Sequence, residues 1–331
     1  MDKMIFHLVR EEPLPSHIRP FSLARDLEEL ATLLEIAFGP ELATTGNRMV
    51  EEMRRLAQWG PMLYMMPGFA SMMGGYVWRE GGRLVGNVTI TPEEEEGVWS
   101  MSNVAVLPEY RGRGIGGQLV DVAIAHIRRR GGRRIFLDVR HDNALAVALY
   151  QQRGFVCYDT TYEMGLPATK WPLVVGTRSE RFRTPGMGDG RRLFRLAIGS
   201  TPALAQCYKP LKASDYARGW RYWFRSAWRL AFRGEDVIEI VGPPKGEMAA
   251  YAGITIQLSQ GQHRLRLLVR PEDRGQWEEA LLGELFARLR YAPRQRIIAE
   301  ISASHPEAVA ALRKYGFEEQ RVLDEMVLSL R

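Results

Sequence analysis

Between Asn103 and Val120 the chain passes from a short apolar run, Val104-Ala105-Val106, through Pro108 to four glycines in six positions, Gly112, Gly114, Gly116 and Gly117. It then enters Gln118-Leu119-Val120-Asp121-Val122-Ala123-Ile124-Ala125, whose apolar spacing predicts a helix. The Val-rich run predicts a buried strand, and Pro108 ends it because proline cannot donate to a ladder. Strand, glycine loop and helix together make an anion-binding device. Glycines let backbone N–H groups turn toward one point and let a ligand approach. The helix start adds unsatisfied N–H groups and the positive end of a dipole. A pyrophosphate fits there, with Arg111 and Arg113 adding positive charge. No Gly-Lys-Ser/Thr follows, so this is not a nucleotide P-loop, and the glycines do not stand in the Gly-x-Gly-x-x-Gly order at the right distance from a first strand for a dinucleotide site.

The pattern Arg111-x-x-Gly114-x-Gly116, preceded by Val104-Ala105-Val106, resembles the coenzyme A loop of the GNAT N-acetyltransferases. A second signature follows within one crossover unit. The strand Ile135-Phe136-Leu137-Asp138-Val139 leads to Asn143-x-x-Ala146-x-x-Leu149-Tyr150-x-x-x-Gly154-Phe155. This resembles the family's Asn beside the pantetheine arm, its Tyr-bearing helix and its Gly-Phe turn. The two signatures together are far more specific than either alone.

At 331 residues the chain favours two domains. It holds no long uninterrupted apolar run and no secretory signal, and its two cysteines, Cys157 and Cys207, imply no disulfide framework. A cytoplasmic protein is the expectation. The net charge is +6, and only six of the 45 Lys and Arg residues are lysine. A basic balance suits a polyanionic cosubstrate and does not by itself call for nucleic acid. The densest basic cluster, Arg128 to Arg134, is read as a helix C-terminus complementing its dipole.

In chain order, Ile18-Arg19-Pro20-Phe21 predicts a first strand. Asp26–Phe38 carries a helical apolar face that Gly39-Pro40 is expected to stop, and a second helix is expected near Arg48–Trp59. Residues 60–73, rich in Met, are read as core, mobile loop or an apolar wall beside the acceptor. A hairpin is predicted around Glu80-Gly81-Gly82, then a strand over Val98–Val106, and after Gly154 the closing strands over Phe155–Leu166. Residues 167–192, rich in Pro, Gly and Arg, read as a linker. Tyr216, Trp220, Phe224, Trp228 and Phe232 form one helical stripe, expected to be core or an interface between the two halves.

The second half repeats the first. Val106-Leu107-Pro108-Glu109-Tyr110-Arg111-Gly112 aligns with Val269-Arg270-Pro271-Glu272-Asp273-Arg274-Gly275, and Asn143–Phe155 aligns with His305–Phe317. Pro108 to Gly154 spans 46 positions and Pro271 to Gly316 spans 45, so both ends of the unit keep their spacing. In the second copy Trp277 stands for Gly114, Glu279 for Gly116, His305 for Asn143 and Leu312 for Tyr150. An indole fills the space of a phosphate and a carboxylate repels it.

The resemblance implies an α/β (α+β) chain of two tandem GNAT-like domains, each a mixed, mostly antiparallel twisted sheet flanked by helices. Expected boundaries are 1–168 for the catalytic domain, 169–192 for the linker and 193–331 for a degenerate copy. It implies an acetyl-CoA-dependent N-acetyltransferase acting by direct attack of a primary amine in a ternary complex, without a metal. The alternative is a non-catalytic acyl-CoA-binding or regulatory module. Implied cosubstrate-binding residues are Val104, Ala105, Val106, Arg111, Gly112, Arg113, Gly114, Ile115, Gly116, Gly117, Asn143 and Tyr150. The Val104 amide would polarise the thioester carbonyl and stabilise an oxyanion, Val106 and Asn143 would bind the pantetheine arm, and Tyr150 would protonate the departing thiolate. A phenol near pKa ~10 can serve a thiolate near ~8.5. Relatives often place a carboxylate where this chain has Ser100. A water chain through Ser100 and Ser102, or Glu35 or Glu41, could stand in for it. Expected partners are a small-molecule or peptide amine and a second copy, with no nucleic acid and no membrane. The tandem arrangement also resembles that of mycothiol synthases, although no residue selects mycothiol.

Overall fold

The computed structural model of the protein describes residues 14–45, 49–58, 74–172, 179–259 and 261–330. The Met-rich stretch 60–73 lies outside them, as do residues 1–13. Two compact units are present, Met1–Leu137 with Leu328–Arg331, and Asp138–Val327.

The first unit is an α/β layer built on five strands in the order β1 (Ile18–Pro20), β2 (Gly74–Glu80), β3 (Arg83–Pro92), β4 (Val98–Val106) and β5 (Arg134–Arg140), the last of which runs on into the second unit. The first four pair antiparallel and β4 pairs with β5 in parallel. The β2–β3 turn is Gly81-Gly82, both at positive φ, the backbone a tight hairpin requires. Helix α1 (Leu23–Thr45) buries Leu27, Leu30, Ala31, Leu33 and Leu34, each at 2% exposure or less. Burying one such leucine contributes roughly 1.5–3 kcal/mol. Buried Asp26 fixes the start of α1, bonding the Arg19 guanidinium (2.7 Å) and the Ser22 N–H (2.8 Å). Glu29, one turn on, binds Arg79 at 2.9 Å and the Leu84 N–H at 2.9 Å. Gly39-Pro40 does not stop α1. Proline withholds one N–H, and Ile36, whose carbonyl would have received it, is 45% exposed, so water can take its place. Helix α2 (Met49–Gln58) follows as expected.

Helix α3 (Ile115–Arg129) packs on β2, β3 and β4 through Leu119, Val120, Ala123 and Ile127. Gly86 on β3 lets it approach. A Cβ there would meet Leu119 Cδ1 at 3.0 Å and Ile115 Cγ2 at 3.1 Å. The first turn of α3 is therefore seated directly on the sheet. Its last turn carries His126, Arg128 and Arg129, as the dipole favours.

The second unit opens with α4 (Ala144–Gln151) and β6 (Val156–Leu166), followed by α5 (Gly190–Ser200) and α6 (Trp220–Arg233). Then β7 (Glu235–Gly242), β8 (Ala250–Gln257), β9 (Gln262–Val269), α7 (Glu278–Arg288), β10 (Arg296–Ser302), α8 (Pro306–Lys314) and β11 (Glu318–Ser329) repeat the order of β2 to β6 with their two helices. Its strands lie in the order β11-β6-β10-β9-β8-β7, antiparallel except for β9 with β10. β10 and β11 are not neighbours. β6, a strand of the first sequence copy, lies between them, pairing Ile297↔Leu166 on one side and Val322↔Tyr162 on the other. One core joins β6 to β10 with α7 and α8, through Met164, Leu166, Leu281, Leu285 and Leu312.

The described part of the stretch read as a linker is docked. Trp171 is buried and its indole donates to the Gln295 carbonyl at 2.8 Å. Arg183 pairs backbone to backbone with Val241 and holds buried Asp189 at the start of α5. The aromatic stripe departs from expectation. Tyr216 is buried at 4% exposure, but Trp220, Phe224 and Phe232 on α6 are 70%, 70% and 74% exposed. α6 turns its polar side to β7 instead, where Tyr222 donates to Glu239 at 2.7 Å beside the buried Arg218–Glu239 pair.

Candidate active site

The loop residues gather in the first unit, at the foot of α3. β4 ends at Val106 and a 3₁₀ turn begins at Pro108, where the missing N–H disturbs nothing. Gly112 and Gly114 both sit at φ +76°, a left-handed backbone that glycine adopts without strain. Gly114 is the N-cap of α3 and offers no side chain to cap it. The six consecutive N–H groups from Gly112 to Gly117 have no hydrogen-bond acceptor among the described residues, and the next one, Gln118 N–H, already reaches the Gly114 carbonyl. A Cβ on Gly112 would have nothing within 4 Å, so the space in front of the loop is clear.

Two arginines border the loop. Arg111 Nε donates to the Val106 carbonyl at 3.1 Å, which ties the loop back to the end of β4. Arg113 lies 4.9 Å from the Tyr110 ring centroid and 3.6 Å from Glu80. Both are solvent-exposed.

Upstream, β4 carries a bulge. Asn87 pairs with Ala105 and Thr89 with Ser102, so Asn103 and Val104 together face the single residue Val88. Asn103 takes φ +51°, and buried Asn87 donates to its carbonyl at 2.9 Å. The bulge re-aims the backbone at Val104. Pairing of β4 with β5 ends at Ser100↔Phe136, among the described residues, while β4 continues to Val106. Ser100 donates its hydroxyl to the Thr91 carbonyl at 3.5 Å, and Glu35 is engaged by Arg54. The Glu41 side chain lies outside the described part.

Asn143 and Tyr150 lie together on α4 in the second unit. Asn143 caps that helix, its Oδ1 accepting from the Ala146 N–H at 3.1 Å, which leaves the Nδ2 donor to the exterior. Tyr150 is buried edge-on against Phe155, with ring centroids 5.7 Å apart. Burial pushes its phenol up to about 12, with Arg153 opposing slightly. It therefore keeps its proton, and its hydroxyl has no hydrogen-bond partner among the described residues.

The corresponding helix start of the second copy is closed. Trp277 occupies the N-cap of α7, packed edge-on to Phe182 at 5.9 Å and beneath Arg181. Glu278, at the position aligned with Ile115, folds its carboxylate back onto the Gly275 N–H (2.8 Å) and the Trp277 N–H (3.2 Å). His305, aligned with Asn143, contacts the same carboxylate at 2.8 Å. Burial alone would raise this carboxyl, yet His305 and the backbone N–H groups hold it below the usual range. Here β8 and β9 pair without a shift, so no bulge answers Asn103–Val104. Glu278 is the residue that sequence reasoning missed. A Glu in the first turn of that helix, aligned with an apolar residue in the other copy, was its signal.

Residues 33–155 match the acetyltransferase (GNAT) family. Over 87 residues, 25% of this chain, the sequence is 39% identical to the mycothiol acetyltransferase of Geodermatophilus obscurus; the match covers only 28% of that protein. A GCN5-related N-acetyltransferase structure from Sphaerobacter thermophilus superposes with TM-score 0.63 at 17% identity, covering 96% of this chain and 98% of the other. A tandem GNAT protein from the clavulanic acid biosynthesis pathway superposes with TM-score 0.53 at 18% identity, covering 94% and 98%. At such identities these two carry the fold and not the chemistry. Residues 33–155 thus carry a GNAT-family domain, and the chain along its length shares the fold of these two structures.

Proposed function

We propose that the protein is an N-acetyltransferase that moves an acetyl group from acetyl-CoA to a primary amine by direct attack, with its chemistry confined to the first sequence copy. The observation that carries this reading is the run of six unanswered N–H groups from Gly112 to Gly117 at the uncapped foot of α3. Such a run suits a diphosphate, and neither a side chain nor a cap competes for it.

Acetyl-CoA, when bound, supplies an activated thioester and an amide-rich arm. The chain's own residues then have distinct tasks. Gly112 to Gly117 hold the diphosphate, and Arg111 and Arg113 add charge beside it. The bulge at Asn103–Val104 presents the Val104 amide to the thioester carbonyl, where a fixed donor contributes most. Ala105 and Val106 offer the strand edge, and Asn143 its free Nδ2, to the arm. Tyr150 holds its proton through the working pH range and delivers it to the departing sulfur. No nucleophile on the protein is needed, because holding two substrates together supplies much of the rate.

Free-thiol release from acetyl-CoA against a panel of polyamines, aminoglycosides, amino acids and peptides tests this proposal. Amine-dependent release that Gly114→Trp abolishes is the expected result. Thiol release from no amine, with acetyl-CoA still bound, would leave a binding module in its place.

A further inference from the structure

Helix α6 (Trp220–Arg233) is amphipathic in the reverse sense. Tyr222, Ser226 and Arg229, spaced four and three residues apart and half-buried, form its polar side, and the Tyr222 hydroxyl reaches buried Glu239 on β7. None of its residues is buried. The opposite side carries Trp220 (70% exposed), Trp223 (44%), Phe224 (70%), Trp228 (45%), Leu230 (45%) and Phe232 (74%). At roughly 150–250 Å² per aromatic side chain, this leaves on the order of 700 Å² of apolar surface in water. The largest patch on an ordinary monomer is about 300–600 Å².

The charge of the helix selects what covers that face. α6 has four arginines and neither Asp nor Glu. Arg221, Arg225 and Arg233 are exposed, the last lying 5.7 Å from the Trp228 ring centroid. The nearest acidic residues in sequence, Asp215, Glu235 and Asp236, lie off the helix. Stacking this face on a second copy would bring like charges together. An anionic lipid surface answers both features. Trp and Phe settle at the headgroup level, Arg meets lipid phosphate, and low net hydrophobicity keeps the helix in the interfacial plane.

We propose that α6 docks the protein on anionic membrane surfaces, its aromatic face inserted at the headgroup boundary. This departs from the sequence expectation of no membrane partner. It involves no spanning segment, since no helix among the described residues is long and apolar enough to cross a bilayer.

Co-sedimentation of the full chain with phosphatidylcholine vesicles, with and without about 30% phosphatidylglycerol, tests the proposal. Binding should require the anionic lipid, shift tryptophan emission to the blue, and fall at least about tenfold between about 50 and about 500 mM salt. Trp220→Ser with Phe224→Ser should lose binding at least about tenfold with an unchanged Tm and unchanged thiol release, both side chains being exposed. Arg221→Gln with Arg225→Gln should weaken binding to anionic vesicles alone. Absent binding, or equal binding to both vesicles, overturns the proposal. So does a dimer in sedimentation equilibrium that ignores vesicles and dissociates on Trp220→Ser with Phe224→Ser, which would make a second copy the occupant.

Discussion

His305 Nε2 lies 2.8 Å from Glu278 Oε1, and both side chains are buried. The aligned positions of the first copy hold Asn143 and Ile115. In one copy the helix start is left open to an outside anion. In the other it is answered by the chain's own carboxylate and sealed by Trp277. The second copy thus meets the same backbone device with an anion of its own, the Glu278 carboxylate.

Glu278→Gln should therefore destabilise the protein by roughly 1–3 kcal/mol, the cost of a disrupted buried network. Since the carboxyl is held below its usual range, its contribution is full above the ordinary glutamate value and disappears as pH falls through the folded one. Urea unfolding of wild type across acidic pH should show this decline, and Glu278→Gln should flatten it. Identical acid limbs in the two proteins would contradict the arrangement.

Asp189 predicts a second acid-sensitive contact. Arg183 holds its two oxygens at 2.5 and 2.9 Å and the Gly186 N–H adds a bond at 2.7 Å, so the carboxyl is pulled down to about 2. A lowered carboxylate stabilises the fold above its unfolded value of about 3.9, by about 2 kcal/mol, and that contribution drains away between about pH 4 and pH 2. Asp189→Asn should remove it and lower Tm at neutral pH. An unchanged Tm would place the pair among those that contribute nothing.

Tyr150→Phe should lower kcat by roughly 10²–10⁴ while leaving the KM for acetyl-CoA nearly intact, because a general acid acts only as the sulfur departs. With its phenol pushed up to about 12, Tyr150 should add no alkaline limb to the pH–rate profile at ordinary working pH. Unchanged turnover in the variant would remove Tyr150 from the mechanism.

The loop was legible from sequence because its constraints are local. Pro108 ends a strand, and Gly112 and Gly114 occupy a backbone conformation that other residues resist. The repeat was legible because both ends of the unit kept their spacing. The bulge at Asn103–Val104 was not, since it exists only relative to β3, and no residue signals it alone. The insertion of β6 between β10 and β11 is a long-range pairing with no local signature. The α6 stripe was misread for a related reason. Periodicity reports that a helix has an apolar face, not that anything in the same chain covers it.

The most direct test of the central claim is a calorimetric titration of the full chain with acetyl-CoA, run beside Gly114→Trp, which copies into the first helix start the residue that seals the second. The account predicts one saturable site per chain, abolished in the variant. Two sites, or one that survives Gly114→Trp, would contradict it.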